Sequence, residues 1–451
     1  MQEDLTSPLI KKTEGYRSLF RNKNFLFLWL GQVFSQLGDR VTFVIFVAVI
    51  ASLFSTSTAL QSWLYVAFTV PAILLTAIAG VFIDRWNKKY TLIITNIIRS
   101  LLIICLPLFS KTLFGIYSLA FLVSAVTQFF VPAEASSIPA LVNKNQLLSA
   151  NSLFTTTMMG SIIFGFVLGD PLINIFGLKA VHWAVAGLFF ISAICLCFIK
   201  YKFKQAEPSE KKTVFDFFNE LKQGFIYIKE NPKVLQAILK LALLFSIIVM
   251  LSILSIGISQ QKLYPANPAL GAQKFAYIIA FSGIGMVIGA LIVGKFWRNT
   301  SKYLLIYSGF TVIAISLALL SVVGFIPNSL HVSVPGWHLW AIHFEAFKLT
   351  FRMLYAYLIA GIIGFGCALV AIPVQTIIHS SVAENMRGKV FGVQFTMLST
   401  SSTLPVLVAA LAADLLGVSK ILIIIAFPVL MLGVYGLLKV KYRANRVGKG
   451  F

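Results

Sequence analysis

The residues in this chain best equipped for chemistry lie where their surroundings should forbid them. Asp39 and Arg40 stand side by side in "SQLGDRVTFVIF", near the middle of an otherwise apolar run from Phe25 to Phe54. A charge at that depth of a bilayer costs about 2.5–3.5 kcal/mol per residue on insertion scales. Arg99 and Glu134 also read as deep. Such charges face a bundle interior or a water-filled cavity, pair with one another, and mark proton, ion or solute paths. A carboxylate beside such a cavity can take up and release a proton, and the change in charge shifts the favoured conformation. The plain alternative is a set of buried ion pairs that merely joins helices.

The elements that must position these residues follow from composition. The chain has 451 residues, 58% hydrophobic and 12% charged. Soluble domains carry about 25% charged residues, so a single soluble core is excluded. Apolar segments long enough to cross about 30 Å of hydrocarbon as helices recur along the whole length. The ten-residue alternation of a transmembrane β-barrel is absent from the sequence. Spans are expected near 24–53, 61–83, 90–110, 113–138, 147–170, 178–200, 234–260, 274–295, 302–326, 353–379, 389–416 and 419–440. The expected fold class is thus an all-α membrane protein with twelve transmembrane helices in two six-helix bundles.

Charge sets the expected orientation. Most of the 37 Lys and Arg, among them Lys88, Lys89, Lys200, Lys202, Lys204, Lys211, Lys212, Lys439, Lys441 and Arg443, fall on one side if both termini are cytoplasmic. The net charge of +22 is therefore topological and does not point to nucleic acid. The polar residues 1–23 read as a cytoplasmic tail rather than a cleavable signal, because the first apolar run is too long for a signal-peptide core. The remaining units are a six-helix bundle over 24–200, a cytoplasmic linker over 201–233, a second bundle over 234–442 and a tail over 443–451. In the linker, Thr213 can cap a helix whose Val214, Phe217, Leu221, Phe225 and Ile228 recur at helical spacing, the pattern of an amphipathic helix on the membrane surface.

Other chemistries find no residues to carry them. Cys105, Cys195, Cys197 and Cys367 fall inside expected spans, as small packing residues. No Gly-x-x-x-x-Gly-Lys-Ser/Thr loop is present to hold nucleotide phosphates, and no nucleophile–His–acid set lies at matched depth. An enzyme is not expected, and neither a cofactor nor a metal is implied. The segment 327–352 reads as a long external loop, with Trp337, Trp340, Phe344 and Phe347 suggesting an interfacial helix. On a helix, His338 and His343 would lie on different faces, which argues against metal binding with Glu345. Gly283, Gly285 and Gly289 in span 8 read as close-packing positions.

The two halves echo each other. "VPAEASSIPALVNKNQ" and "IPVQTIIHSSVAENMR" place Pro132–Glu134 and Pro373–Gln375 at matching points of spans 4 and 10. Weak internal symmetry of this kind is a mark of transporters built from repeated bundles.

Between spans 2 and 3, "GVFIDRWNKKYTL" resembles the signature loop of the major facilitator superfamily, Gly-x-x-x-Asp-Arg-x-Gly-Arg-Arg/Lys. Gly80, Asp84, Arg85, Lys88 and Lys89 match in residue or charge. Asn87 stands where the second glycine is usual, and asparagine tolerates positive φ better than most residues. "GQVFSQLGD", "VPAEASSIPALVNKNQLLSANSL" and "IPVQTIIHSSVAENMRGKVFG" resemble the twelve-helix drug and siderophore exporters, such as macrolide and enterobactin exporters. Gly38–Asp39 and Pro132–Ala133 are also similar to bacterial lysophospholipid transporters. Departures are Phe166, where exporters often carry proline, and Glu134, where relatives often have arginine.

The resemblance implies a transporter in a bacterial plasma membrane, working by alternating access. The favoured reading is a proton-coupled exporter of an amphiphilic or organic solute. A lysophospholipid-type carrier and a non-transporting receptor or scaffold are the alternatives. The implied partners are a small-molecule or lipid-like substrate, membrane lipids and protons, with a monomeric protein. In the superfamily, spans 1, 4, 7 and 10 line the cavity, so Asp39, Arg40, Glu134 and Gln375 are the candidates for substrate or proton coupling. Span 3 is peripheral there, so Arg99 is expected to be structural. Gly80, Asp84, Arg85, Lys88 and Lys89 form the candidate gate. Asp84 would dock on the start of span 11 near Gly388–Lys389, where a helix N-terminus favours an acid by about 0.3–1 kcal/mol. Lys88, Lys89 and Arg85 would anchor to anionic headgroups.

Overall fold

The computed structural model describes residues 16–54, 57–200, 214–297, 300–328, 331–334, 337–339, 342–344, 347–383 and 386–447. Ten of the helices among these are long and apolar enough to cross a membrane. Span 1 is Lys23–Leu53 and span 2 is Thr58–Arg85. Span 3, Lys88–Ile104, is the shortest at 17 residues, and span 4 is Leu113–Leu141. The helix Leu147–Cys197 supplies both span 5 and span 6, because Gly177 interrupts it with a φ of 70°. The chain reverses there. Gly165 and Gly169 climb along Arg40 and Val44 of span 1, while Phe189 and Leu196 descend past Gly38 and Gly31.

The second half repeats the plan with spans 7 (Pro232–Ile258), 8 (Ala276–Lys295), 9 (Lys302–Ser321), 10 (Phe351–Ser381), 11 (Arg387–Leu416) and 12 (Val418–Val447). The linker helix Val214–Glu230 lies at one membrane face, here termed the linker face. The opposite, far face carries the turns after spans 1 and 7.

Span 3 shows why these helices belong in lipid. Its Thr91, Thr95, Asn96, Arg99 and Ser100 are buried, whereas Ile94, Ile97, Ile98 and Leu101 are exposed. A helix in water shows the reverse. Helix starts are closed by local caps: the side chains of Asn22, Asn87, Thr112 and Thr350 each accept from a first-turn amide. Prolines inside spans, such as Pro71, Pro132 and Pro373, are accommodated without ending the helix, as neighbouring helices in a membrane allow.

Spans 8 and 10 approach closely through glycine. A Cβ at Gly285 would collide with the Gly361 carbonyl oxygen, and one at Gly364 would collide with that of Ser282. Gly289 faces Ala368, but Gly283 faces Ile163 of span 5, in the other half. The obstacle at Gly285 and Gly364 is backbone, which cannot rotate away. Gly364→Val is therefore expected to cost more than the about 1–3 kcal/mol of ordinary overpacking. Loss of monodisperse protein in detergent would show it, and a wild-type melting temperature would contradict it.

The cores are distributed unevenly through the depth of the protein. Toward the linker face, Leu19, Phe25, Leu28, Ile83, Leu92, Phe130 and Leu196 form a cluster that belongs to the first half alone. Toward the far face, Val44, Phe46, Leu64 and Phe189 of the first half share one cluster with Ile253, Ile256, Phe275 and Val406 of the second. The halves are thus sealed together on the far side.

Two local expectations are corrected. The segment expected to be an interfacial helix contains two short antiparallel ladders, His331–Val334 with Phe347–Thr350 and Trp337–Leu339 with Ile342–Phe344. The stretch around Pro335–Gly336 favours a turn over helical continuation, and its alternating β-branched residues suit a strand. The register puts His338 opposite His343, so separation on helix faces no longer applies; Trp340 and Glu345 lie outside the described residues. Asn87, second, has an ordinary extended backbone with a φ of −73°. It replaces glycine as the N-cap of span 3, not as a residue of positive φ.

The linker helix rests on protein rather than on the membrane surface alone. Gly224 packs against the Lys389 carbonyl at the start of span 11, and the Lys389 Nζ donates to Gln223 Oε1 at 2.6 Å. Tyr227 Oη accepts from the Ala383 amide, and Ile228 is buried in the core of the second half. Phe225 and Ile226 are exposed.

Candidate functional site

Asp39 lies 14 residues before Leu53, about 21 Å at 1.5 Å per residue, so it sits near mid-membrane. Its carboxylate is held by Arg99, whose Nη1 donates to Oδ1 at 3.0 Å and to Oδ2 at 3.2 Å. The other guanidinium nitrogen, Nη2, donates to Ser35 Oγ at 2.8 Å and Asn96 Oδ1 at 2.7 Å. Nη1 also reaches Thr127 Oγ1 at 3.4 Å. Three spans therefore meet on one guanidinium.

Two rings complete the seat. The Arg99 guanidinium lies 4.6 Å from the centre of Phe130 and 4.7 Å from that of Phe189. A desolvated cation over a ring gains about 2 kcal/mol or more. Arg99 is fully buried, whereas the Asp39 side chain remains 23% exposed. The pair thus has a dry end on span 3 and an accessible end on span 1. Glu134, one helical turn beyond Phe130, is also buried, and its Oε1 has no hydrogen-bond partner. It lies close enough to interact electrostatically with Arg99.

The structure brings together Asp39, Arg99 and Glu134. Arg99, expected to be structural on span 3, is the hub of the cluster, in an ion pair and hydrogen bonds that join spans 1, 3 and 4. Arg40 does not pair with its neighbour. Its stem lies over Gly165 of span 5, and its guanidinium is 6.0 Å from the Phe166 ring. Gln375 sits elsewhere, accepting from Gln394 Nε2 at 3.4 Å and lying 3.5 Å from His379 Nε2.

The signature-loop residues divide. Span 2 runs helically through Gly80, Asp84 and Arg85, whose side chains lie outside the described residues. Lys88 Nζ donates to the Ser136 carbonyl of span 4 at 3.4 Å. Lys89 Nζ donates to the carbonyls of Cys197 and Ile199 at the end of span 6, at 2.9 and 2.6 Å. A lysine there satisfies orphan carbonyls and the negative end of the helix dipole. Both lysines have protein partners in their own bundle, where headgroup contacts were expected.

At the far face, two clasps join the halves, and sequence reading missed both. Asp170 of span 5, almost fully buried, accepts from Lys274 Nζ at 2.7 Å and from Tyr277 Oη at 2.8 Å. Asp414, near the end of span 11, accepts from the Thr58 amide at 2.8 Å and the Ala59 amide at 3.0 Å, and also from the Ser57 hydroxyl. It caps span 2 from the opposite bundle. A signal was present in each case, an acid flanked by apolar residues, but its partner lies more than 100 positions away. Between the clasps, Phe43 and Phe166 each meet Phe275 of the second half with ring centres 6.4 Å apart, and Phe68 packs on Phe43 at 5.8 Å to complete an aromatic layer.

Comparison with known proteins agrees with this architecture. The chain is 28% identical over 435 residues to the MFS-type transporter YfiS of Bacillus subtilis (strain 168), covering 95% of this chain and 96% of that one. It is 26% identical over 306 residues to the "Putative bacilysin exporter BacE" of the same strain, covering 66% and 72%. Among solved structures, the nucleoside transporter NupG superposes with a TM-score of 0.68 at 12% identity, covering 93% of this chain and 100% of that one. A bacterial homologue of the iron transporter ferroportin, in an inward-facing state, gives 0.67 at 11% identity, covering 93% and 99%. The sequence pattern of the Major Facilitator Superfamily matches residues 28–404. A multi-pass helical fold and a family match over most of its length lead to one conclusion: the chain belongs to the Major Facilitator Superfamily and is a membrane transporter, not an enzyme.

Proposed function

We propose that the protein is a proton-coupled exporter of an amphiphilic or organic solute in a bacterial plasma membrane, working by alternating access. The observation that carries this reading is the Asp39–Arg99 pair. It is buried at one end, partly open at the other, and sits beside Glu134 at mid-membrane depth. Arg99 stays charged, and the two carboxyls beside it, Asp39 and Glu134, can exchange one proton with each other and with the cavity, so that the resulting charge decides which packing of the bundles is favoured. Export as the direction is supported by the similarity to the "Putative bacilysin exporter BacE".

The excess of Lys and Arg on the linker side supports a cytoplasmic linker face, with both termini inside. On that reading the far-face clasps seal the external side, and the described state loads from the cytoplasm. Asp84 then acts in the opposite state, by docking on the span 11 terminus that the linker helix now covers at Lys389. Asp84→Asn is expected to shift the population toward the state sealed at the far face and to slow turnover with normal membrane insertion. Distances between the linker-face ends of the bundles would register the shift; unchanged distances with wild-type turnover would rule it out.

Uptake of labelled solutes into proteoliposomes, with and without an imposed pH gradient, tests the function. Accumulation that needs the gradient supports the exporter. Gradient-independent movement of lysophospholipid would replace it with a lipid carrier, and no movement of any solute would favour a receptor.

A further inference from the structure

Arg40 has no function in the cluster just described, and its environment is unusual. Its Nε is buried without a hydrogen-bond partner, and none of its nitrogens enters a hydrogen bond or ion pair among the described residues. The nearest acid in sequence, Asp39, is committed to Arg99. A guanidinium held at mid-membrane depth without an acceptor is costly, since a buried charge is stable only when paired and hydrogen-bonded.

The seat is nonetheless built for it. A Cβ at position 165 would come within 2.7 Å of Arg40 Cβ and 2.9 Å of its Cγ, so only glycine lets the stem run along span 5. That path delivers the guanidinium beside Phe166. Phe166 in turn meets Phe43 and, from the other half, Phe275. Arg40 therefore stands about one turn below the aromatic layer that joins the halves on the far side.

We propose that Arg40 is the anion-binding group of the substrate site, and that the substrate carries an oxyanion, carboxylate or phosphate, on an apolar body. The planar fork of a guanidinium matches either oxyanion through two parallel hydrogen bonds. The phenylalanine layer receives the body. This reading rests on the transporter assignment and adds the charge and shape of the cargo.

The test reads binding, so it does not depend on transport. Protein in nanodiscs of zwitterionic lipid is melted in the presence of decanoate, decyl phosphate, decyltrimethylammonium or decanol. Wild type should be stabilised by one or both anionic probes over the cationic and neutral ones, and the choice between decanoate and decyl phosphate separates carboxylate from phosphate cargo. Arg40→Gln should weaken the anionic response about tenfold or more, the loss of roughly 1.4 kcal/mol, while Arg40→Lys keeps part of it. Gly165→Ala, which retains the arginine but crowds its stem, should also weaken it; this variant decides the matter if Arg40→Gln does not fold. Equal anionic stabilisation of wild type and both variants overturns the proposal. So does an Arg40-dependent preference for the cationic probe, or no anionic stabilisation of wild type. Arg40-dependent anion binding by a protein that moves nothing in proteoliposomes would instead defeat only the transporter mechanism.

Discussion

Asp39→Asn is expected to abolish gradient-driven accumulation while exchange of solute down its own gradient continues. The substitution keeps an acceptor for Arg99 but removes the titratable proton and the negative charge. Removing one partner of a buried pair costs about 3–5 kcal/mol, because the other charge is left without compensation. Here the substituted amide can still accept one hydrogen bond, so the loss should fall toward the low end. Arg99→Met should be equally damaging, leaving Asp39 unpaired and the Phe130–Phe189 slot without its cation. The double variant Asp39→Asn/Arg99→Met separates structure from coupling. Replacing a buried pair by neutral groups of similar volume is often nearly neutral, so the double variant should melt within about 1 kcal/mol of wild type. Its gradient-driven transport should remain at least about tenfold down, the effect of roughly 1.4 kcal/mol on a rate. Full proton-driven accumulation by the double variant would make the pair a structural joint and leave Glu134 as the coupling acid.

Breaking both far-face clasps should open that side. Asp170 joins span 5 to Lys274 and Tyr277, and Asp414 caps span 2, so the two sites hold separate pairs of helices across the same seam. Hydrogen bonds to a charged group contribute about 1.5–3 kcal/mol each, and loss of an N-cap costs about 0.5–2 kcal/mol. Asp170→Asn combined with Asp414→Ala should therefore move the equilibrium toward the far-open state by at least about tenfold. Spin labels at Lys111 and Ala266, both exposed at the far face in different halves, would report a longer distance population. An unchanged distribution in the double variant would show that the apolar core shared by the two halves, the phenylalanine layer included, holds the seam without the clasps. The single variants should give intermediate shifts, since the sites are distant and share no partner.

The sequence by itself determined the membrane class, the order of the spans, the family and the deep charges. Each of these rests on short-range properties: twenty apolar residues in a row, a basic loop, a signature of ten residues, an acid where lipid is expected. Gly283, Gly285 and Gly289 were legible as packing positions for the same reason, because small residues let helix backbones meet.

Only the tertiary structure decided the partners. Asp39 has a cation beside it in the chain, yet adjacent helical residues point about 100° apart, and the acid pairs with Arg99, 60 positions away. Which cation a carboxylate meets depends on how spans 1 and 3 are rotated against each other, and helix rotation is set by packing along the whole interface. The same holds for Asp414, whose partners lie more than 350 positions away in the other bundle. The stretch 331–350 shows the limit from the other side: its aromatic residues fit an interfacial helix by composition, but its described residues pair across strands, His331 with Thr350 and Trp337 with Phe344, in two antiparallel ladders. Apolar length is written along the chain. Rotation, register and partner choice exist only between elements, where the free energy of pairing is gained after the elements have formed.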